Sequence, residues 1–566
     1  MARRGGGLLA VLVVAALAIA ACAPSAPPAA TATAAAIPRG GTLTVAIWQE
    51  PNTLNYHYAT QTVAGLVLRV AVEGLLGVGP DGEYFAWLAK EVPTLQNGGV
   101  RLTADGKKMD VTYKLRPGVV WSDGTPFTSK DVKFTWEYVL KDPKVTSREG
   151  YDKIDGIDTP DDLTAVAHFK EIYAPYASVV FSDGILPKHL LENVLDVGKH
   201  DYVRLPLGTG PFKIVDFKSA DSITAVRNER YRDKDKPYLD KIIFRSVPSR
   251  EVAIAQLKAG EVDAMWNLLE AQVPDLEKNP DVKLLIGPSP SVERLEFNLA
   301  KPANPADPKV PHPILSDVNV RRALTLATPK QQLIDKLLFG KANVANTTLT
   351  LGWAAPKDIV QEGYDPAKAK QLLDQSGWTP GADGVRSKGG VRASLTITTT
   401  TGDKVREQVE QILIDEYKAI GVELKIKNVP SSVLFGSWSA NAPRKRGDFD
   451  INMYASSPDP DPHDTVNGRF HSSQIPRPEN NGAGFNYYRF SNPEVDKFIE
   501  QAGSSVDQEQ RKKLYAQVLK IVNDNYISVW LYARSGIDAF RANVGGYKDN
   551  PWRSFTWNVQ DWWVKR

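Results

Sequence analysis

At 566 residues the chain is too long for one hydrophobic core and calls for three or four domains or subdomains. Its 42% hydrophobic and 24% charged residues are those of an ordinary globular protein, and 39 prolines and 42 glycines promise many turns without low complexity. A formal net charge of +3 without a basic stripe argues against a nucleic-acid partner, and the one dense basic cluster, Arg444-Lys445-Arg446, lacks interleaved aromatics and reads as a solvated loop.

Arg3 and Arg4 precede an apolar run, LLAVLVVAALAIAA, which has the length of a signal-peptide core and is short for a membrane span. The run ends in IAAC, and Cys22 is the only cysteine of the chain. Residues 1–21 read as a lipoprotein signal peptide and Cys22 as the acylated residue, in the manner of a bacterial lipobox. Removal of residues 1–21 takes away both arginines and lowers the formal charge from +3 to +1. Residues 22–36, rich in Pro, Ala, Ser and Thr and free of charge, read as a flexible tether. No later run of eighteen apolar residues is present.

Residues 41–48 alternate apolar and polar positions and predict a strand. Residues 111–143 predict a strand, a Gly/Pro turn and a helix capped by Thr128, with Asp131 as the reciprocal acid. Residues 208–217 and 222–231 predict paired strands, and 250–260 a short helix stopped by Gly260. Residues 393–429 predict a β-α-β unit, with Val409, Ile412, Leu413, Tyr417 and Ile420 along one helix face and Leu424 and Ile426 pointing the same way from the next strand. Two further helices are expected over 493–502 and 508–523. At the C-terminus, Phe555, Trp557 and Val559 occupy alternate positions and predict a core strand, or more pointedly a carbohydrate platform. The class is α/β with α+β character.

The segment MYASSPDPDPHD, Met453 to Asp464, concentrates acids, a histidine and prolines. Asp459, Asp461 and His463 have the spacing of the first ligands of an EF-hand, but the sixth position is Asp464 instead of glycine and the twelfth is Phe470 instead of glutamate. No G-x-S-x-G elbow and no P-loop motif occurs, and Pro211 deprives the Gly208–Gly210 turn of an N–H needed for phosphate. No metal, cofactor or catalytic residue is assigned. A secreted hydrolase remains the alternative of a different class.

Several segments then resemble, in chain order, one family: the solute-binding proteins of bacterial ABC importers for oligopeptides, dipeptides and nickel, family 5. They are TYKLRPGVVWSDGTPFTSKDVKFTWE (112–137), GTGPFKI with VRNERY, PYLDKIIFRSVPSREVAIAQLKAGEVDA (237–264), SDVNVRRALTLATPKQQLIDKLLFGKA (316–342), YDPAKAKQLLDQSGW (364–378) and YASSPDPDP (454–462). The resemblance implies a two-lobed periplasmic-binding-protein-like (type II) α/β fold with an extra inserted α+β domain. Lobe 1 is expected over 37–80, 205–290 and 531–566, the inserted domain over 81–204, and lobe 2 over 291–530.

The resemblance also implies the ligand site. One strand edge from each lobe would hydrogen-bond a peptide main chain: Tyr58, Thr60, Gln61 and Thr62 from lobe 1, and Asn452, Met453, Tyr454, Ala455 and Ser456 from lobe 2. Tyr454 and Trp438 would supply aromatic walls, although core packing suits Trp438 better. Asp459 and Asp461 either contact ligand or shape a Pro-stiffened turn. Peptide-binding relatives carry an aspartate where this chain has Ser456, and that acid pairs the peptide's α-ammonium. The departure implies another acid for the amine, or a ligand without one, such as an oligosaccharide. The expected protein is a monomeric, lipid-anchored binder on the extracytoplasmic face, capturing peptides and handing them to permease subunits.

Overall fold

A computed structural model describes residues 37–565 apart from 60, 179, 553 and 554. Cys22, the signal peptide and the tether therefore lie outside the described residues, as does Thr60. The fold is mixed α/β in two lobes.

One 11-stranded sheet carries both lobes. On one side, Thr42–Ile47 lies parallel to Lys241–Ser246 and Ala264–Met265, with Ser222–Arg227 and Phe212–Lys218 completing that edge. Thr42–Ile47 buries Leu43, Val45 and Ile47 in one cluster and Ala46 in another, as a strand covered on both faces must. On the other side, Ser394–Thr398 lies parallel to Glu423–Ile426 and Ile451–Ser456. The connecting helix Lys404–Ala419 buries Val409, Leu413 and Tyr417, four residues apart on one face. Leu424 is buried with them, but Ile426 is 40% exposed: it sits on the outermost strand of the sheet, where the helix no longer covers it.

Two long antiparallel strands, Val282–Phe297 and Ser528–Arg541, run through both halves. Their register breaks between Pro288 and Val292, opposite Ser535 and Ala533. The cause is local: Pro288 and Pro290 have no N–H to give to the ladder. Before the break the pair joins Ala264–Met265, and after it Ile451–Ser456.

A separate four-stranded sheet, Val100–Leu102, Met109–Lys114, Ile154–Asp161 and Thr164–Phe169, has its own apolar core under helix Ser129–Lys141. Thr128 and Asp131 form the reciprocal cap of that helix, and Asp131 Oδ1 also accepts from Lys188 N at 3.0 Å. Helix Arg250–Ala259 ends at Gly260, whose φ of 78° a residue with a Cβ adopts poorly.

Residues Phe555–Asp561 form a 3₁₀ segment rather than the expected strand. Phe555 and Val559 are buried while Trp557 is only partly covered, so burial follows a spacing of four and not two. Thr556 Oγ1 donates to Leu66 O at 2.8 Å, and Trp562 Nε1 donates to Asn558 Oδ1 at 3.0 Å, which fixes the segment as packing and not as a platform.

Candidate ligand-binding cleft

Strand Ile451–Ser456 explains the site's chemistry through its period of two. Ile451 and Met453 enter the apolar core, while Asn452, Tyr454 and Ser456 share the opposite face. The neighbouring strand sets Glu296 opposite Asn452 and Arg294 opposite Tyr454, so a polar face is buried inside lobe 2. Arg294 and Glu296 are both 0% exposed and pair at 3.2 Å. The Tyr454 hydroxyl hydrogen-bonds to both. Both amide atoms of buried Asn452 lack a partner among the described residues.

Arg444 reaches the same cluster from the short helix Pro443–Arg446, with its Nε 3.3 Å from Glu296 Oε2. Its guanidinium lies 3.7 Å from the Tyr454 ring centroid and 3.8 Å from that of Tyr487. Arg446 stacks on Trp438 at 4.0 Å, and the Lys445 ammonium lies 5.1 Å from Phe485. The expectation of a solvated basic loop is thus corrected: its aromatic partners come from other segments, and cation–π contact takes the place of water. Trp438 itself serves as this packing surface and lines none of the cavities below.

Three cavities of about 620, 300 and 340 Å³ border one another, and Asp459 lines all three. The 620 Å³ cavity lies over the register break. Trp48 and Trp266, each just past the end of one of two neighbouring parallel strands, stack there with centroids 5.5 Å apart and 13° between planes. Sites at the carboxyl ends of parallel strands are a general feature of open α/β sheets. Trp552 lines this cavity and the 340 Å³ one. The indole N–H groups of Trp48, Trp266 and Trp552 are buried and lack an acceptor among the described residues. A buried donor left so costs ~1–3 kcal/mol, which ligand carbonyl oxygens would recover.

The 300 Å³ cavity is lined by Tyr454, Ser456, Arg444 and Arg469 and by the acids Glu149, Asp459 and Asp464. Burial, with Glu149 alongside, pushes the Asp464 carboxyl up to about 7. Burial and the nearby Arg294 charge push Arg469 down to about 9. The 340 Å³ cavity is lined by His57, Glu149, Asp183 and Asp459 among others, and burial lowers the His57 pKa.

The expected lobe 1 edge is not a strand. Tyr58 lies in a turn, and Thr62 begins helix Thr62–Leu68. The Tyr58 hydroxyl donates to Asp142 Oδ2 at 2.6 Å, tying the turn to the inserted sheet's helix, and Gln61 Oε1 accepts from Asn52 N at 2.8 Å. Thr62 alone of these lines a cavity. In lobe 2, Ile451–Ser456 pairs with Ser394–Thr398 only at Ile451 and Asn452. Beyond them Thr399 Oγ1 donates to Met453 O at 2.7 Å, and the edge at Ala455 and Ser456 has no strand beside it among the described residues.

Asp461 and Asp459 part company. Asp461 is 3% exposed and forms a two-pronged ion pair with Arg511, both contacts at 2.6 Å, while its Oδ1 also accepts from His463 N at 3.0 Å. Asp461 shapes its turn and lines another cavity, of about 450 Å³, while Asp459 faces the three cavities above. Sequence reasoning missed Trp48, Trp266, Trp552, Glu149 and Arg469, and also Arg294 and Glu296. For the last two a signal existed: charges at alternate positions of the apolar run VERLEFNL imply a buried polar face.

Two lobes joined by paired strands, with cavities between them, define the class of hinged binding proteins. The chain belongs to the bacterial extracellular solute-binding proteins, family 5, whose middle-region model matches residues 83–476. It is a binding protein and not an enzyme. It is 30% identical over 543 residues to the oligopeptide-binding protein AppA of Bacillus subtilis (strain 168), which covers 93% of this chain and 92% of that one. The structure of B. subtilis AppA in complex with a nonapeptide superposes with a TM-score of 0.68 at 28% identity, covering 94% of this chain and 100% of that one. NikZ of Campylobacter jejuni in complex with Ni(L-His) gives a TM-score of 0.71 at 26% identity, covering 93% and 99%. Among the described residues no helix is long and apolar enough to cross a membrane.

Proposed function

We propose that this protein is the lipid-anchored peptide-binding subunit of an ABC importer, acting as a monomer outside the cytoplasm. It encloses a peptide between its lobes and releases it to permease subunits, while a separate subunit hydrolyses ATP. The observation that carries this reading is the meeting of three cavities at Asp459, with walls from both ends of the long strand pair. Closure bends the pair at the Pro288–Val292 break. The peptide main chain lies along the open edge at Ala455 and Ser456 and offers carbonyl oxygens to the indole N–H groups. Its α-ammonium lies toward Asp459 and Glu149, since Ser456 carries no charge. Similarity to an oligopeptide-binding protein over nearly the whole chain supports the ligand class. Anchoring rests on the IAAC motif, and Cys22→Ala is expected to move the protein from the membrane fraction to the soluble one.

Thermal melting with short unmodified and N-acetylated peptides tests the ligand. At 100-fold excess over Kd, an unmodified peptide adds ~2.7 kcal/mol to native-state stability, and acetylation removes most of that shift. A melting curve that oligosaccharides shift and peptides do not would overturn the peptide assignment.

A further inference from the structure

We propose that the 300 Å³ cavity beside Ser456 is a receptor for a carboxylate borne by the ligand. This deepens the peptide-binding reading and rests on it. Arg294, Arg444 and Arg469 converge on the polar face of Ile451–Ser456, where Glu296 pairs with Arg294 and Arg444. Arg469 is 8% exposed, and its hydrogen bonds go to two neutral hydroxyls, those of Thr348 and Ser456. Neither Glu149 nor Asp464, which line the same cavity, forms an ion pair with Arg444 or Arg469.

The Ser456 hydroxyl accepts from Arg294 Nη1 at 2.8 Å and from Arg469 Nη2. Both of its lone pairs are thereby engaged, and its proton is left to donate. Two guanidiniums and this O–H therefore line one space, and each is a donor. A carboxylate there accepts charge-assisted hydrogen bonds and supplies the counter-charge that Arg469 lacks. An ammonium placed beside Ser456 meets the charges of Arg444 and Arg469 instead. The ligand is consequently oriented, with its carboxylate at Arg469 and its amine toward the acids shared with the 340 Å³ cavity. That makes a compact zwitterion, on the scale of a short peptide, the fitting occupant.

Two measurements test this and separate it from the peptide reading. The first needs no ligand. Ser456→Asp places a carboxylate between Arg294 and Arg469, and the melting temperature rises by ~2 °C or more. An unchanged or lowered melting temperature overturns the proposal, whatever peptides do. The second is isothermal titration of tri-alanine against its C-terminal amide. The acid binds about 10-fold or more tightly to the wild type, and Arg469→Gln, checked for wild-type circular dichroism, brings the two within ~2-fold. Equal binding to the wild type, or a preference that survives in Arg469→Gln, overturns the carboxylate assignment. Failure of both forms to bind overturns the peptide reading and leaves the Ser456→Asp result to decide the site.

Discussion

The cleft wall contributed beside Thr42–Ile47 is aromatic, whereas the wall contributed by Ile451–Ser456 is ionic. The first offers the faces of Trp48 and Trp266 and three indole donors without an acceptor among the described residues, with Arg250 resting 3.8 Å over Trp48. Ring faces accept many ligand surfaces, so this wall supplies area and little discrimination. The second offers fixed charges whose hydrogen bonds have direction. Its buried polar network is costly unless every member is satisfied, which holds it to one geometry. On the proposed reading, affinity and orientation fall to different walls, and a ligand must touch both walls to obtain both.

Substitutions that break the ionic wall should have the largest effects, and on folding. Glu296→Gln leaves Arg294 and Arg444 without a counter-charge and lowers stability by ~3–5 kcal/mol in urea unfolding. Asp461→Asn strands Arg511 to a similar extent. Asp459→Asn, two residues away, weakens binding of an unmodified peptide, measured by titration. Unchanged binding in Asp459→Asn would show that its assignment to the ligand is wrong. A smaller effect sharpens the aromatic side: Trp48→Leu weakens peptide binding by ~0.5–1.5 kcal/mol while the preference for acid over amide persists. A loss of that preference would show that the walls do not act separately.

The smallest effect is a pH dependence at the junction of the walls. The Asp464 carboxyl is raised to about 7 by burial, with Glu149 beside it, so the native state holds its proton more tightly than the unfolded chain. Stability from this group is complete below the unfolded carboxylate range and declines as pH rises toward 7. Asp464→Asn flattens that part of the melting-temperature profile, read as the difference between variant and wild type from pH 4 to 8. A profile unchanged in Asp464→Asn would assign the dependence elsewhere.

Local order was legible in the sequence because its causes are local. The Thr128–Asp131 cap, the Gly260 stop and the β-α-β unit over 393–429 depend on residues within a turn or two of one another. So did the departure at Ser456, which needs only the residue itself. The readings that failed share the opposite cause. Arg444-Lys445-Arg446 looked solvated because Tyr454, Tyr487 and Trp438 lie in other segments of the chain. Phe555, Trp557 and Val559 looked like a strand because alternation of three apolar residues does not distinguish period two from a short 3₁₀ turn. Resemblance implies an edge at Tyr58 to Thr62, yet Tyr58 lies in a turn and Thr62 opens a helix.

By itself the sequence determined the family, the lobed α/β architecture and the unusual residue at position 456. Only the tertiary structure decided what Ser456 touches. Charge pairing depends on distance through a low-dielectric interior, and the distances among Arg294, Glu296, Arg444 and Arg469 are set by strands and helices far apart in the chain.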